Sequence, residues 1–206
     1  MSETLRQTIV EIGRRLYARR LIAAYDGNIS CRADDAAVWT TPTGVCKGFL
    51  TEDMLVGMDL TGRVTAGDRR PSSETGLHLG IYRENPAVRA VVHAHPPAAT
   101  ALACMGRALD RPILPEVLLT LGPVPLAPYA IPGSPAVAES VAPYCRTHNG
   151  ALLANHGAVT WGGDLWEAYY RMEKLEHFAE VLLRIEAAGG RAREIDGNTA
   201  PRPVVS

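Results

Sequence analysis

Surplus charge is what this chain most plainly lacks. Its 21 Lys and Arg are set against 22 Asp and Glu, a formal net charge of -1, and no run of basic residues stands out. That balance gives no electrostatic footprint for nucleic acid or an anionic membrane. No uninterrupted apolar stretch reaches the roughly 20 residues that a bilayer-spanning helix needs. The opening segment MSETLRQTIVEIGRRLYARRLI carries charges through every possible apolar core, which excludes a secretory signal peptide. Cys31, Cys46, Cys104 and Cys145 lie far apart with no Cys-x-x-Cys pair. They read as reduced thiols, and the expected compartment is the cytoplasm.

A hydrophobic content of 47% in 206 residues suits one globular domain with a full core. Leu5, Ile9, Ile12 and Leu16 predict an amphipathic helix over 3–20, with Arg14, Arg15, Arg19 and Arg20 on a solvated face. Short strands are expected at 29–32, 38–41, 54–60, 88–92 and 151–154, and helices at 74–83, 97–105 and 135–144. Seven of the 15 prolines fall within 111–135, which predicts a winding segment with short strands. Asp164 with Glu167 forms a capping box for a long helix ended by Gly189-Gly190. Irregular alternation of strands and helices, without repeats or linker, predicts an α/β fold with a mixed sheet. Residues 1–190 form one domain in this reading, and 191–206 a flexible tail.

The chemistry gathers around His93 and His95, one residue apart after the apolar run Val88 to Val92. Residues i and i+2 of a strand point the same way, so both imidazoles aim beyond its end. Alone, such a pair more often caps a strand than binds a metal. A third candidate, His156, follows another apolar run, and three histidines make a catalytic zinc set with open coordination positions. Gly27-Asn28-Ile29-Ser30, Thr41-Pro42-Thr43-Gly44 and Pro71-Ser72-Ser73-Glu74 add hydroxyls and backbone N–H groups at turns. Turns and helix starts of that composition hold phosphates.

In their order and combination these motifs resemble the class II aldolase and adducin family, in particular its fuculose-phosphate aldolase branch, from about Leu5 to Gly190. The resemblance implies a three-layer fold, a mainly antiparallel central sheet with helices on both faces. It implies His93, His95 and His156 as ligands of Zn2+, with Mn2+ or Co2+ as substitutes. Glu74 would be the acid/base, able to touch the metal in an empty site. Asn28, Thr43, Gly44, Ser72 and Ser73 would bind phosphate. The expected reaction is reversible cleavage of a ketose 1-phosphate to dihydroxyacetone phosphate and an aldehyde, in a homotetramer. A divalent ion suits that reaction because an enediolate forms as the bond breaks.

Sugar-phosphate dehydratase, epimerase and 3-oxo acid phosphate decarboxylase chemistry remain alternatives on this scaffold. A non-enzymatic adducin-like module does not call for these histidines or Glu74. The family's C-terminal tail tyrosine has no counterpart in 191–206, so fuculose phosphate itself is not assigned as substrate. Lys47, three residues after Gly44, is read as a solvated loop lysine. His78 could orient Glu74 or pack in the helix. Glu116 stands near the position of a substrate-side tyrosine of the family, and Tyr129 matches a family segment or packs in a loop.

Overall fold

The computed structural model describes residues 2–196. One mixed sheet of eight strands organises them, in the order β4-β3-β2-β1-β5-β8-β7-β6. The strands are β1 (Asn28–Arg32), β2 (Ala37–Thr40), β3 (Val56–Asp59), β4 (Val64–Ala66), β5 (Ala90–Ala94), β6 (Leu126–Ala127), β7 (Gly150–Leu153) and β8 (Gly157–Gly162). All neighbours run antiparallel except β6 and β7, which are parallel.

Strand alternation splits the core into two layers. Ile29, Cys31, Ala90, Val92, Ala94, Leu152 and Ala158 face one way. They pack with α1 (Ser2–Ala18), α3 (Pro97–Cys104), α4 (Pro115–Thr120) and α6 (Leu165–Ala187). Val91, Ala151, Leu153, Val159 and Trp161 face the other way, against α2 (Thr75–Glu84) and α5 (Pro135–Val141). The central strands β5, β7 and β8 are buried on both faces, so they read as continuous apolar runs. Each fully buried Leu, Ile or Phe side chain adds roughly 1.5–3 kcal/mol of transfer free energy. The expected α/β fold, with helices on both faces, is what the chain adopts.

Local signals account for most elements. Ile9, Ile12 and Leu16 of α1 are fully buried, as their spacing requires. Asp164 Oδ1 accepts the Glu167 N–H at 2.7 Å, and Glu167 Oε2 accepts the Gly163 N–H at 2.6 Å. That reciprocal pair starts α6.

The structure differs from the sequence expectations in several elements. The 111–135 segment contains the helix α4 besides the two-residue β6. Pro115 sits at its first turn, where no N–H is needed, while the other prolines flank it. The hairpin partner β8 and the edge strand β4 were not expected. The strand expected from Met54 begins at Val56, because Glu52–Met54 is a 3-10 turn. Of the expected flexible tail, Glu194 pairs with Arg111 at 2.8 Å and the Ile195 N–H reaches Pro112 O at 2.7 Å. Its remainder, 197–206, lies outside the described residues. No helix among the described residues is long and apolar enough to cross a membrane.

Candidate metal centre and anion cleft

The antiparallel register of β1 and β5 sets Asn28 opposite His93, at the end where the chain leaves β5 toward His95. His93 is fully buried, and its Nδ1 donates to Ala158 O at 2.9 Å. That bond fixes the ring's orientation and turns Nε2 toward His95 and Glu74. His95 Nδ1 lies 3.4 Å from Asp26 Oδ2, so its Nε2 also faces inward.

His156 enters from the tight turn joining β7 to β8. The turn is made by Asn155 in the left-handed region, φ 55°, which asparagine tolerates better than most residues. Gly157 lets this turn lie against β5. A Cβ there would sit 2.6 Å from Ala94 O and 2.6 Å from His95 Cδ2.

The three rings meet with centroids 4.7–5.0 Å apart. His93 Nε2 and His95 Nε2 are 3.1 Å apart. One ligand nitrogen from each of the three histidines lies within 4.8 Å of the others. Nitrogens 2.0–2.1 Å from a tetrahedral ion stand roughly 3.3 Å apart, so this donor set fits a divalent cation. Burial, followed by the charges of His93 and His156, pushes His95 down to about 4. It is therefore a neutral imidazole, the form that ligates a metal.

Glu74 is the residue immediately preceding α2. Its backbone N–H donates to Ser72 Oγ at 3.3 Å, and Glu74 itself occupies the cap position of the helix. Oε2 accepts from Asn28 Nδ2 at 2.9 Å and lies 3.2 Å from His93 Nε2, while Oε1 lies 3.2 Å from His156 Nε2. Burial works to raise this carboxyl, but the charge of His93 and the bonds to both histidines hold it well below the usual carboxylate range.

A cleft of about 350 Å³ opens beside this cluster, lined by Asn28, Thr43, Ser72, Ser73, Glu74, His95 and His156. Two of its walls are tied together: the Thr43 N–H donates to Arg70 O at 3.0 Å and the Ser72 N–H to Thr41 O at 3.3 Å. Of the sequence-expected residues, Gly44 lies on an exposed tip of the same loop and does not line the cleft.

His78 makes no bond to Glu74. It is buried beneath the cleft, with Nδ1 2.6 Å from Ser30 Oγ, and Ser30 Oγ is 2.8 Å from the Tyr82 hydroxyl. Glu116 is exposed on α4 and Tyr129 is 60% exposed; neither lines the cleft. Lys47 contradicts its reading as a solvated loop lysine. It is 2% exposed and lines the cleft, because its 3-10 turn packs beneath α1. Tyr25, Asp26 and Pro132 also line the cleft without having been singled out; Asp26 stands in an ordinary turn, and nothing local marks it as the partner of His95.

Three histidines, a carboxylate and a hydroxyl-lined cleft gather at the ends of interior strands, and the likeness to known proteins runs along nearly the whole chain. The profile of the Class II Aldolase and Adducin N-terminal domain matches residues 7–183. The 3-oxo-tetronate 4-phosphate decarboxylase of Haemophilus influenzae is 37% identical over 186 residues, 88% of each chain. The L-fuculose phosphate aldolase of Methanocaldococcus jannaschii is 35% identical, over 86% of this chain and 95% of its own. The solved structure of YgbL from Klebsiella pneumoniae superposes with a TM-score of 0.89 at 35% identity, covering 96% of each chain. The arrangement built from His93, His95, His156 and Glu74 thus stands on a shared scaffold, and the chain belongs to the class II aldolase and adducin family.

Proposed function

We propose that this chain is a divalent-metal-dependent lyase that decarboxylates a phosphorylated 3-oxo sugar acid of the 3-oxo-tetronate 4-phosphate type. The likeness to the Haemophilus influenzae decarboxylase along nearly the whole chain carries this reading over aldol cleavage. The two chemistries are close. In such a substrate the C1 carboxylate leaves as CO2 and its electron pair stays on C2, beside the C3 ketone. One proton delivered to C2 then gives dihydroxyacetone phosphate. Cleaving a ketose 1-phosphate between C3 and C4 leaves the same enediolate, but it also requires a base for the hydroxyl proton of the departing aldehyde.

His93, His95 and His156 hold the cation in this reading, Zn2+ first and Mn2+ or Co2+ as substitutes. When bound, such an ion supplies Lewis-acid stabilisation of developing oxyanion charge. Thr43, Ser72 and Ser73, which line the cleft, receive the phosphate. Asn28 positions Glu74 through its 2.9 Å bond, and its own buried Oδ1 has no protein partner, leaving it open to a substrate hydroxyl. Glu74, ionised at rest, relays a proton from solvent to C2. Departure of CO2 asks for no further acid, which suits a cleft where Asp26 is already engaged with His95.

Tyr25, Phe49, Tyr129 and Ile131 are 60–68% exposed on segments that wall the cleft or adjoin it. A neighbouring subunit covering them, in a homotetramer, fits this reading, and light scattering tests it. Reduced cysteines accord with a cytoplasmic location. Incubation of the metal-loaded protein with 3-oxo-tetronate 4-phosphate should release CO2 and dihydroxyacetone phosphate in equal amounts. Ketose 1-phosphates turned over faster, with aldehyde and no CO2, would instead favour the aldolase reading.

A further inference from the structure

Positive charge in this chain is almost all arginine: of its 21 basic residues, only Lys47 and Lys174 are lysines. One of the two lysines is therefore sealed inside the cleft. Lys47 Nζ donates to Tyr25 O at 2.5 Å, and among the described residues its ammonium has no ion pair and no other acceptor. Two of its three N–H donors are thus unmatched in a site that is 2% exposed. Burying an uncompensated ammonium is strongly unfavourable, so a structural role alone does not explain it. Burial lowers this ammonium below the ordinary lysine value, while Cys46, Asp26 and Glu74 act to hold it up. Neither carboxylate comes close enough to neutralise it.

The turn that carries Lys47 is held rigidly. Gly13 of α1 touches it so closely that a Cβ at Gly13 would lie 2.4 Å from Lys47 O. The same loop carries Thr43, which lines the cleft together with Ser72 and Ser73. A pinned cation beside a row of hydroxyls is a binding arrangement for a compact, multiply charged anion.

We infer that Lys47 supplies the positive charge of the phosphate subsite, meeting the phosphoryl oxygens in the cleft it lines with Thr43, Ser72 and Ser73. The inference rests on the phosphate-ester substrate of the function proposed above and adds the cation that its hydroxyls lack. The substrate's carboxylate is the poorer partner on chemical grounds. A cation there would stabilise the charge that decarboxylation must discharge, and so would oppose the reaction. At the phosphate the charge persists from substrate to product, and the ion pair serves binding throughout.

The probe is inorganic phosphate on the metal-loaded protein, compared between wild type and Lys47→Met. Methionine keeps the unbranched stem and deletes the charge; Lys47→Gln is the second variant should the first fold poorly. Phosphate should raise the wild-type melting temperature and inhibit turnover competitively. In Lys47→Met the ligand-free protein should melt at the same or a higher temperature. The phosphate inhibition constant and the substrate KM should both rise roughly thirtyfold, the loss of one charge-assisted bond, with kcat within a few-fold.

An unchanged phosphate response would overturn the inference. So would a fall in kcat at constant KM, which would make Lys47 a proton-transfer group, or a lower melting temperature in both variants, which would make it structural. Should no phosphorylated 3-oxo acid or ketose be turned over, the proposed reaction fails, yet the phosphate-induced melting shift still decides Lys47.

Discussion

Replacing Gly157 by alanine tests the geometry of the histidine cluster without touching a ligand. The new methyl carbon would lie 2.6 Å from His95 Cδ2 and 2.6 Å from the Ala94 carbonyl oxygen. Ordinary contact begins near 3.4 Å, so a relief of about 0.8 Å is needed. Ala94 O belongs to a central strand and yields little, so the His95 ring and the Asn155–His156 turn must part. Metal sites tolerate errors of only about 0.2 Å in ligand distance. The displacement is several times that, and divalent-ion affinity should fall roughly 10–100-fold, the scale seen when ligand orientation is lost. Overpacking of this kind also costs about 1–3 kcal/mol of stability. The assay is competition for zinc against a chelator of known affinity, with chemical denaturation of the metal-free protein beside it. An alanine variant that binds zinc as tightly as wild type would refute the argument that this turn sets the position of His95.

Other perturbations reach different parts of the molecule. Glu74→Gln keeps shape and the Asn28 contact but removes the charge, so kcat should fall about a hundredfold or more with metal content intact. Ser73→Ala should chiefly raise KM; equal effects of the two variants on kcat would merge the roles assigned to them. Glu176, buried in α6, accepts the Ala98 and Ala99 N–H groups at 2.9 Å each. Glu176→Ala should therefore remove about 3 kcal/mol, or roughly 6–12 °C in Tm, and a loss under 2 °C would show that water replaces the carboxylate. Burial pushes His78 down to about 3, so between pH 6.5 and 3 the unfolded chain binds a proton that the folded chain refuses. Stability from this group is complete above pH 6.5 and falls with acidification, by about 2 kcal/mol at pH 5. His95 titrates over part of the same window, so the metal-free His78→Asn variant is compared with wild type. Parallel pH–stability curves would exclude His78.

The site was legible where chemistry follows local periodicity. Alternation aligned His93 with His95 and turn composition marked the segments 41–44 and 71–74, while the roles expected of Thr43, Ser72, Ser73, Glu74 and His156 came from the family resemblance. What stayed hidden depends on long-range packing. Lys47 looks like any loop lysine until Gly13 brings α1 down on its turn. Asp26 is an unremarkable turn residue until the Leu21–Asn28 segment folds back along His95, whose N–H donates to Leu21 O at 3.0 Å. His156 was expected just past a strand end. The turn is tighter than that, because β8 begins at the next residue and pairs with both β5 and β7. Proline density concealed α4, since prolines at a helix start and in its flanks look the same in a sequence as prolines that forbid a helix.

Decarboxylation and aldol cleavage lead to one enediolate, so neither the histidine triad nor Glu74 distinguishes them. Discrimination falls to the groups that meet the departing fragment. A carboxylate leaves as a neutral, apolar molecule and gains most from surroundings that do not solvate its charge. A departing alkoxide instead needs a proton acceptor while the bond breaks, and the reverse reaction needs a donor there. Positive charge near the carboxylate would stabilise the acid and slow its decarboxylation. The placement of charge in this cleft follows that logic. In the proposed reaction the histidines would serve the enediolate end and Lys47 the phosphate end, and no second lysine and no arginine lines the cleft among the described residues. Under that proposal charge would be concentrated on groups that stay charged or become charged, as a phosphorylated 3-oxo acid requires if it is to lose CO2.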